Sequence, residues 1–143
     1  MPLTDQHRFG MQLAQLSRGW RAELDRRLVG MGLSQARWLV LLHLARFTEA
    51  PTQRELAQSV GVEGPTLARL LDSLETQGLV SRQAVAEDRR AKKIALSAPA
   101  LPIIEQIEAI ANALRIELFE GVDEAELRIA MAVHSRILAN LEK

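Results

Sequence analysis

Cysteine is absent from the 143 residues, which excludes disulfides, thiolate metal sites and a thiol-based redox switch. Aromatic side chains make up only 3%, so the core has to be built mainly from Leu, Ile, Val and Ala. With 8 Gly and 5 Pro in the whole chain, that composition favours helices. No apolar run approaches the roughly 20 residues that span a bilayer, so no membrane partner is expected. Residues 1–9 are polar and lack the apolar stretch of a signal peptide, which makes the cytoplasm the expected compartment. Neither sign of charge is in excess, with 18 basic and 18 acidic residues, so any nucleic-acid footprint has to be local. His7, His43 and His134 are far apart, with no pair at metal-ligand spacing. No metal and no cofactor is expected.

What is present is 48% apolar and 25% charged residues, ordinary for a globular chain and enough for one domain or two small fused lobes. Over residues 9–28 the apolar positions Phe9, Leu13, Leu16, Trp20, Leu24 and Leu28 recur at helical spacing. Gly30 and Gly32 end that helix and Ser34 is placed to cap a second, which carries Trp38, Leu39, Leu41, Leu42 and Leu44 and is apolar nearly all round. Thr52-Gln53-Arg54-Glu55 is a capping box opening a brief helix over residues 53–60. A turn at Gly61-Val62-Glu63-Gly64 leads to Pro65, suited to the first position of another helix that runs to Gln77 and stops at Gly78.

After Gly78 the period changes. Residues 79–85 and 93–97 read as two short strands joined by a charged tip, an antiparallel hairpin. Two further helices follow, one with Ile103, Ile107, Ile110, Leu114 and Leu118. The other is capped by Asp123 with Glu126 and carries Leu127, Met131, His134, Leu138 and Leu141. The fold class expected is mainly α, an α+β winged helix.

A short helix, a glycine turn and a second helix form a helix-turn-helix, a weak signal by itself. The second helix strengthens it. Leu67, Leu70, Leu71 and Leu74 form one apolar stripe, while Thr66, Arg69 and Ser73 on the opposite face are small or polar. A helix entering the major groove of duplex DNA needs that asymmetry. Pro65 and Thr66 lie at its N-terminal end, where the helix dipole favours phosphate. An ordinary solvated face is the competing reading, and for Arg69 alone it is as good.

The hairpin adds charge. Between Arg82 and Lys93 stand five basic residues, Arg82, Arg89, Arg90, Lys92 and Lys93, against two acidic ones, Glu87 and Asp88, a local net of +3. A basic ribbon can follow phosphates and insert an arginine into a narrow minor groove. Asp88 can pair with a guanidinium and hold its direction. Hairpin tips are also charged simply for solubility, so the placement beside the helix-turn-helix carries the argument.

The stretch Asp88-Arg89-Arg90-Ala91-Lys92-Lys93-Ile94-Ala95-Leu96-Ser97 resembles the wing signature of the MarR family. Residues 33–38, 63–69 and 74–82 are similar to its SlyA branch, and the resemblance covers essentially the whole chain. It implies a homodimeric transcription regulator with the winged helix-turn-helix lobe at residues 33–98 and dimerisation helices at 5–31 and 99–143. It further implies that Thr66 and Arg69 read a pseudo-palindromic site, that Asp88 orients Arg90 in the minor groove, and that Arg89, Lys92 and Lys93 contact phosphate. Release by a small aromatic or phenolic anion is another family property. Arg18, Trp38 and Met31 are the candidate ligand residues, against the competing reading of surface arginine and core tryptophan.

Two other function classes compete with this reading. A winged-helix module that binds protein has no need of the basic wing. An enzyme is not expected, since there is no Gly-rich phosphate loop, nucleophile elbow, metal cluster or paired carboxylates with a histidine.

Overall fold

The structure, a computed structural model, describes residues 1–85 and 88–143, with the backbone alone for residues 85 and 88–91. It divides into two units, residues 1–111 and residues 112–143.

In the first unit, α1 is Asp5–Leu28. It begins four residues before the apolar periodicity does, because Thr4 and His7 close a capping box: Thr4 Oγ1 accepts from the His7 amide at 3.2 Å, and His7 Nδ1 accepts from the Thr4 amide at 3.0 Å. Glu23 sits between Arg26 and Arg27, with N–O distances of 2.6 and 3.0 Å. Hydrogen bonds from Arg26 and then Arg27 hold its carboxyl at about 2. A 3-10 turn, Val29–Met31, ends at Gly32, whose φ of +70° is a conformation that Gly adopts without cost. The second helix, α2, is Gln35–Arg46. Ser34 occupies its N-cap position but makes no side-chain cap bond.

The next two helices are short. α3 is Gln53–Val60, opened by the Thr52–Glu55 box, with amide-to-side-chain distances of 3.1 Å in both directions. Gly61, at φ +83°, turns the chain. α4 is Gly64–Thr76, starting one residue earlier than expected so that Pro65 is its second residue.

The hairpin pairs β1, Val80–Val85, antiparallel to β2, Asp88–Leu96, in a register running from Val80↔Leu96 to Ala84↔Lys92, with a bulge before Val85. The second strand is longer than the expected 93–97. Lys92, expected in the tip, belongs to the paired ribbon together with Lys93. A third segment joins its outer edge, since Thr52 bridges Lys93 and the Ile94 amide donates to the Pro51 carbonyl at 2.9 Å.

The core lies under these elements. Val40, Leu41, Leu56, Leu67, Leu71, Leu74 and Ile94 are fully buried and pack with Leu44, Val60 and Val80. Each such side chain contributes roughly 1.5–3 kcal/mol on burial. These residues come from α2, α3, α4 and both strands, so α4 is anchored by its leucine back.

The fifth helix, α5, is Ala100–Leu118 and runs across the boundary between units. In the second unit it is followed by a turn with Gly121 at φ +81° and by α6, Glu124–Leu141. The Asp123 amide donates to Glu126 Oε1 at 3.2 Å at the start of α6. No residue of α6 is buried. Among the described residues, no single helix is long and apolar enough to cross a membrane.

Candidate nucleic-acid interface

Helix α4 is the centre of the site. At about 100° per residue its leucine back, Leu67, Leu71 and Leu74, is fully buried, and Arg69 stands about 200° round from Leu67. Arg69 and Pro65 are exposed, while Thr66 and Ser73 are half-buried. Leu70, counted in the apolar stripe, is only half-buried at its edge.

Beside α4 the hairpin brings Lys92 and Lys93, both exposed. An open groove of about 1000 Å³ runs between α3, α4 and the hairpin, lined among others by Gln53, Arg54, Ala68, Asp72, Arg82 and Lys92. Of the expected DNA residues, the groove gathers Arg82 and Lys92 but not Thr66, Arg69 or Ser73. Those three lie on the neighbouring face of α4. Gln53 and Arg54 were not anticipated. The available signal was their position: they are the two residues after the Thr52 cap, at the N-terminal end of α3, with Gln53 half-buried and Arg54 exposed.

Arg82 corrects an expectation. It was grouped with the cations free to meet phosphate, yet its side chain is only 15% exposed. Nη1 donates to Asp72 Oδ1 at 2.7 Å and Nη2 to the Ala68 carbonyl at 2.8 Å. Glu75 Oε1 lies 3.8 Å from Nη1. The guanidinium is turned onto α4, because β1 leaves that helix through the tight turn at Gly78 and passes alongside it.

Asp88, Arg89 and Arg90 have backbone positions in β2, with Asp88 opposite Val85. Their side chains lie outside the described residues.

The groove takes in none of the expected ligand residues. Trp38 is 2% exposed, a core residue that offers a ligand no open face, with Nε1 placed 3.4 Å from Asp25 Oδ1. Arg18 is exposed on α1 and Met31 is half-buried. About 15 Å of helix separates Arg18 from the end of α1. His43 Nδ1 lies 2.8 Å from Ser59 Oγ, joining α2 to α3. Among the described residues no group of His, Asp or Glu is placed to hold a metal ion.

A family model described as MarR family matches residues 31–91. A solved structure titled transcriptional regulator PA3341 is 68% identical, with a TM-score of 0.89, covering 94% of this chain and 98% of that one. The chain belongs to the MarR family. It is therefore a winged-helix transcription regulator and not an enzyme. More distant structures share the fold. The MepR–DNA complex of S. aureus has a TM-score of 0.82 at 23% identity, covering 97% of this chain and 99% of MepR. CouR from Rhodococcus jostii RHA1, bound to p-coumaroyl-CoA, has a TM-score of 0.82 at 24% identity, covering 95% of both chains.

Proposed function

We propose that this MarR-family chain is a homodimer that binds a pseudo-palindromic duplex site, represses transcription there, and resides in the cytoplasm on the nucleoid. The observation that carries the reading is the side-by-side placement of leucine-anchored α4, with Arg69 exposed, and a hairpin whose Lys92 and Lys93 are exposed. In this reading Pro65, Thr66, Arg69 and Ser73 meet the major groove. Arg90, oriented by Asp88, enters the flanking minor groove. Arg54, Arg89, Lys92 and Lys93 contact phosphate.

Residues 33–98 act as the DNA-binding lobe, and residues 5–31 and 99–143 supply the dimer contacts. Support for a second copy comes from apolar surface on those segments. Met11, Leu16, Ile116, Ile129, Met131 and Leu141 are each more than half exposed, more than isolated surface residues account for. Two copies related by symmetry would present their α4 helices about 34 Å apart, one helical turn of DNA.

The SlyA-like motifs and the ligand held by CouR support release by a small aromatic or phenolic anion. Arg18 and Met31 remain its candidates and Trp38 does not. Selection of binding sites from a random duplex pool, followed by affinity measurements against salt, tests the DNA reading. Contact with about eight phosphates gives a log–log slope near −7. Absence of salt-sensitive binding to any duplex overturns it.

A further inference from the structure

The geometry points to Arg82 as a positioning residue for DNA binding, one that sets the hairpin against α4 and leaves phosphate contact to other cations. The inference rests on the DNA reading above and assigns a role within it. Arg82 lies in β1 opposite Ile94, and its fork spans two acceptors on one side of α4, the Asp72 carboxylate and the Ala68 carbonyl. Ala68 and Asp72 are one helical turn apart. Ala68 is also the residue before Arg69, so the hairpin is gripped within one position of the exposed arginine on the face of α4.

Three facts separate this role from a phosphate contact. The side chain is 15% exposed, its charge is balanced by Asp72 at 2.7 Å, and one N–H on each of Nη1 and Nη2 is already engaged. The grip is also imperfect as a stabiliser. Arg82 Nε is buried with no hydrogen-bond partner among the described residues, and a buried donor left unmet counts against stability. Apolar packing at such a site serves stability equally well. What the planar fork adds is direction: it meets two acceptors at once, one of them rigid backbone, and a lysine ammonium does not reproduce that.

The test uses the full chain and a duplex selected by the wild type. Affinity is measured against salt for R82A, R82K, D72A, the R82A/D72A double variant and K92A, with thermal melting to establish folding. R82A and R82K are each expected to bind about ten-fold more weakly at fixed salt, with the slope unchanged. The double variant should be no weaker than R82A, because the two residues act as one unit. K92A, a phosphate contact, should flatten the slope by about 0.9. If R82A does not fold, R82K carries the comparison, since it keeps charge and stem. A flattened slope in R82A with affinity retained in R82K would assign Arg82 to phosphate and overturn the proposal, as would unchanged affinity in both. Failure of the wild type to bind any duplex is a separate result: it removes the DNA reading, and this role with it.

Discussion

The Ile94 amide donates to the Pro51 carbonyl at 2.9 Å. The second strand of the hairpin is thereby bonded to the residue just before the Thr52 cap of α3, and Thr52 itself bridges Lys93. On the other strand Arg82 is bonded to α4. The root of the wing is thus fixed to both helices of the helix-turn-helix, one strand to each. A ribbon held on one side only would swing about its attachment, and two attachments on different elements remove that freedom.

Ile94 is also fully buried in the core shared by α2, α3 and α4. Ile94→Ala is expected to cost about 2–5 kcal/mol of folding stability, from lost transfer energy and the cavity left behind. Urea unfolding measures it. A loss under about 1 kcal/mol would mean that the wing root is not part of the core.

Much of this arrangement was legible in the sequence, and the failures have physical reasons. Leu67, Leu71 and Leu74 announced the buried side of α4 by spacing alone, and Thr52 with Glu55 announced the start of α3. Apolar periodicity places the start of α1 only at Phe9, because the Thr4–His7 box is made of polar contacts that it does not register; the segment from residue 5 came from the family resemblance. The length of β2 was missed because charged residues on a two-stranded ribbon need no burial, so the residues up to Lys92 read as tip. Arg82 was misplaced because composition counts a charge without its direction. Its acceptors are ten and fourteen residues upstream, and one of them is a backbone carbonyl that carries no sequence signature. Trp38 shows the same limit: helical spacing placed it on an apolar face but did not tell a core residue from a ligand wall.

Thr52→Ala removes the side-chain acceptor for the Glu55 amide and is expected to destabilise the fold by about 1 kcal/mol. The same cap lowers the Glu55 pKa, through the Thr52 amide first and its hydroxyl second, with Lys93 adding a smaller pull. Carboxylate titration followed by NMR should show Glu55 moving up in the variant. No movement would mean that the box does not form in solution.

Burial pushes the His43 pKa down, and the positive charges of Arg46 and Arg21 push it the same way. The unfolded chain takes up a proton near 6.5 while the folded chain resists it, so this group's stabilisation is complete above that pH and is lost as pH falls below it. Melting temperature should therefore decline between about pH 7 and pH 5, and His43→Gln should flatten the decline. Equal declines in both proteins would locate the pH dependence elsewhere.

Arg69→Ala and Arg90→Ala separate base reading from groove insertion. Each is expected to cost about 1–3 kcal/mol of affinity for the selected duplex while leaving folding intact. Arg69→Ala should relax preference at one base-pair position in each half-site. Arg90→Ala should reduce preference for flanking A/T steps, where the minor groove is narrow. Affinity unchanged in a mobility shift would count against the role of the residue concerned.

Helix α6 has no buried residue, yet Ile129, Met131, Leu138 and Leu141 are apolar and 57–75% exposed. In a lone chain that surface stays in water, where each apolar side chain forfeits roughly 1.5–3 kcal/mol of available burial. A partner copy removes the cost. Placing charge there acts on association and not on the winged-helix core, which is built from other elements. The double variant I129E/M131E should therefore sediment at the mass of one chain while the wild type sediments at twice that mass. It should keep the wild-type α-helical circular dichroism and lose most of its affinity for a two-half-site duplex, with weaker binding left to a single half-site. A variant that stays dimeric would remove α6 from the interface, and a wild type that is monomeric at working concentration would remove the symmetric-operator reading itself.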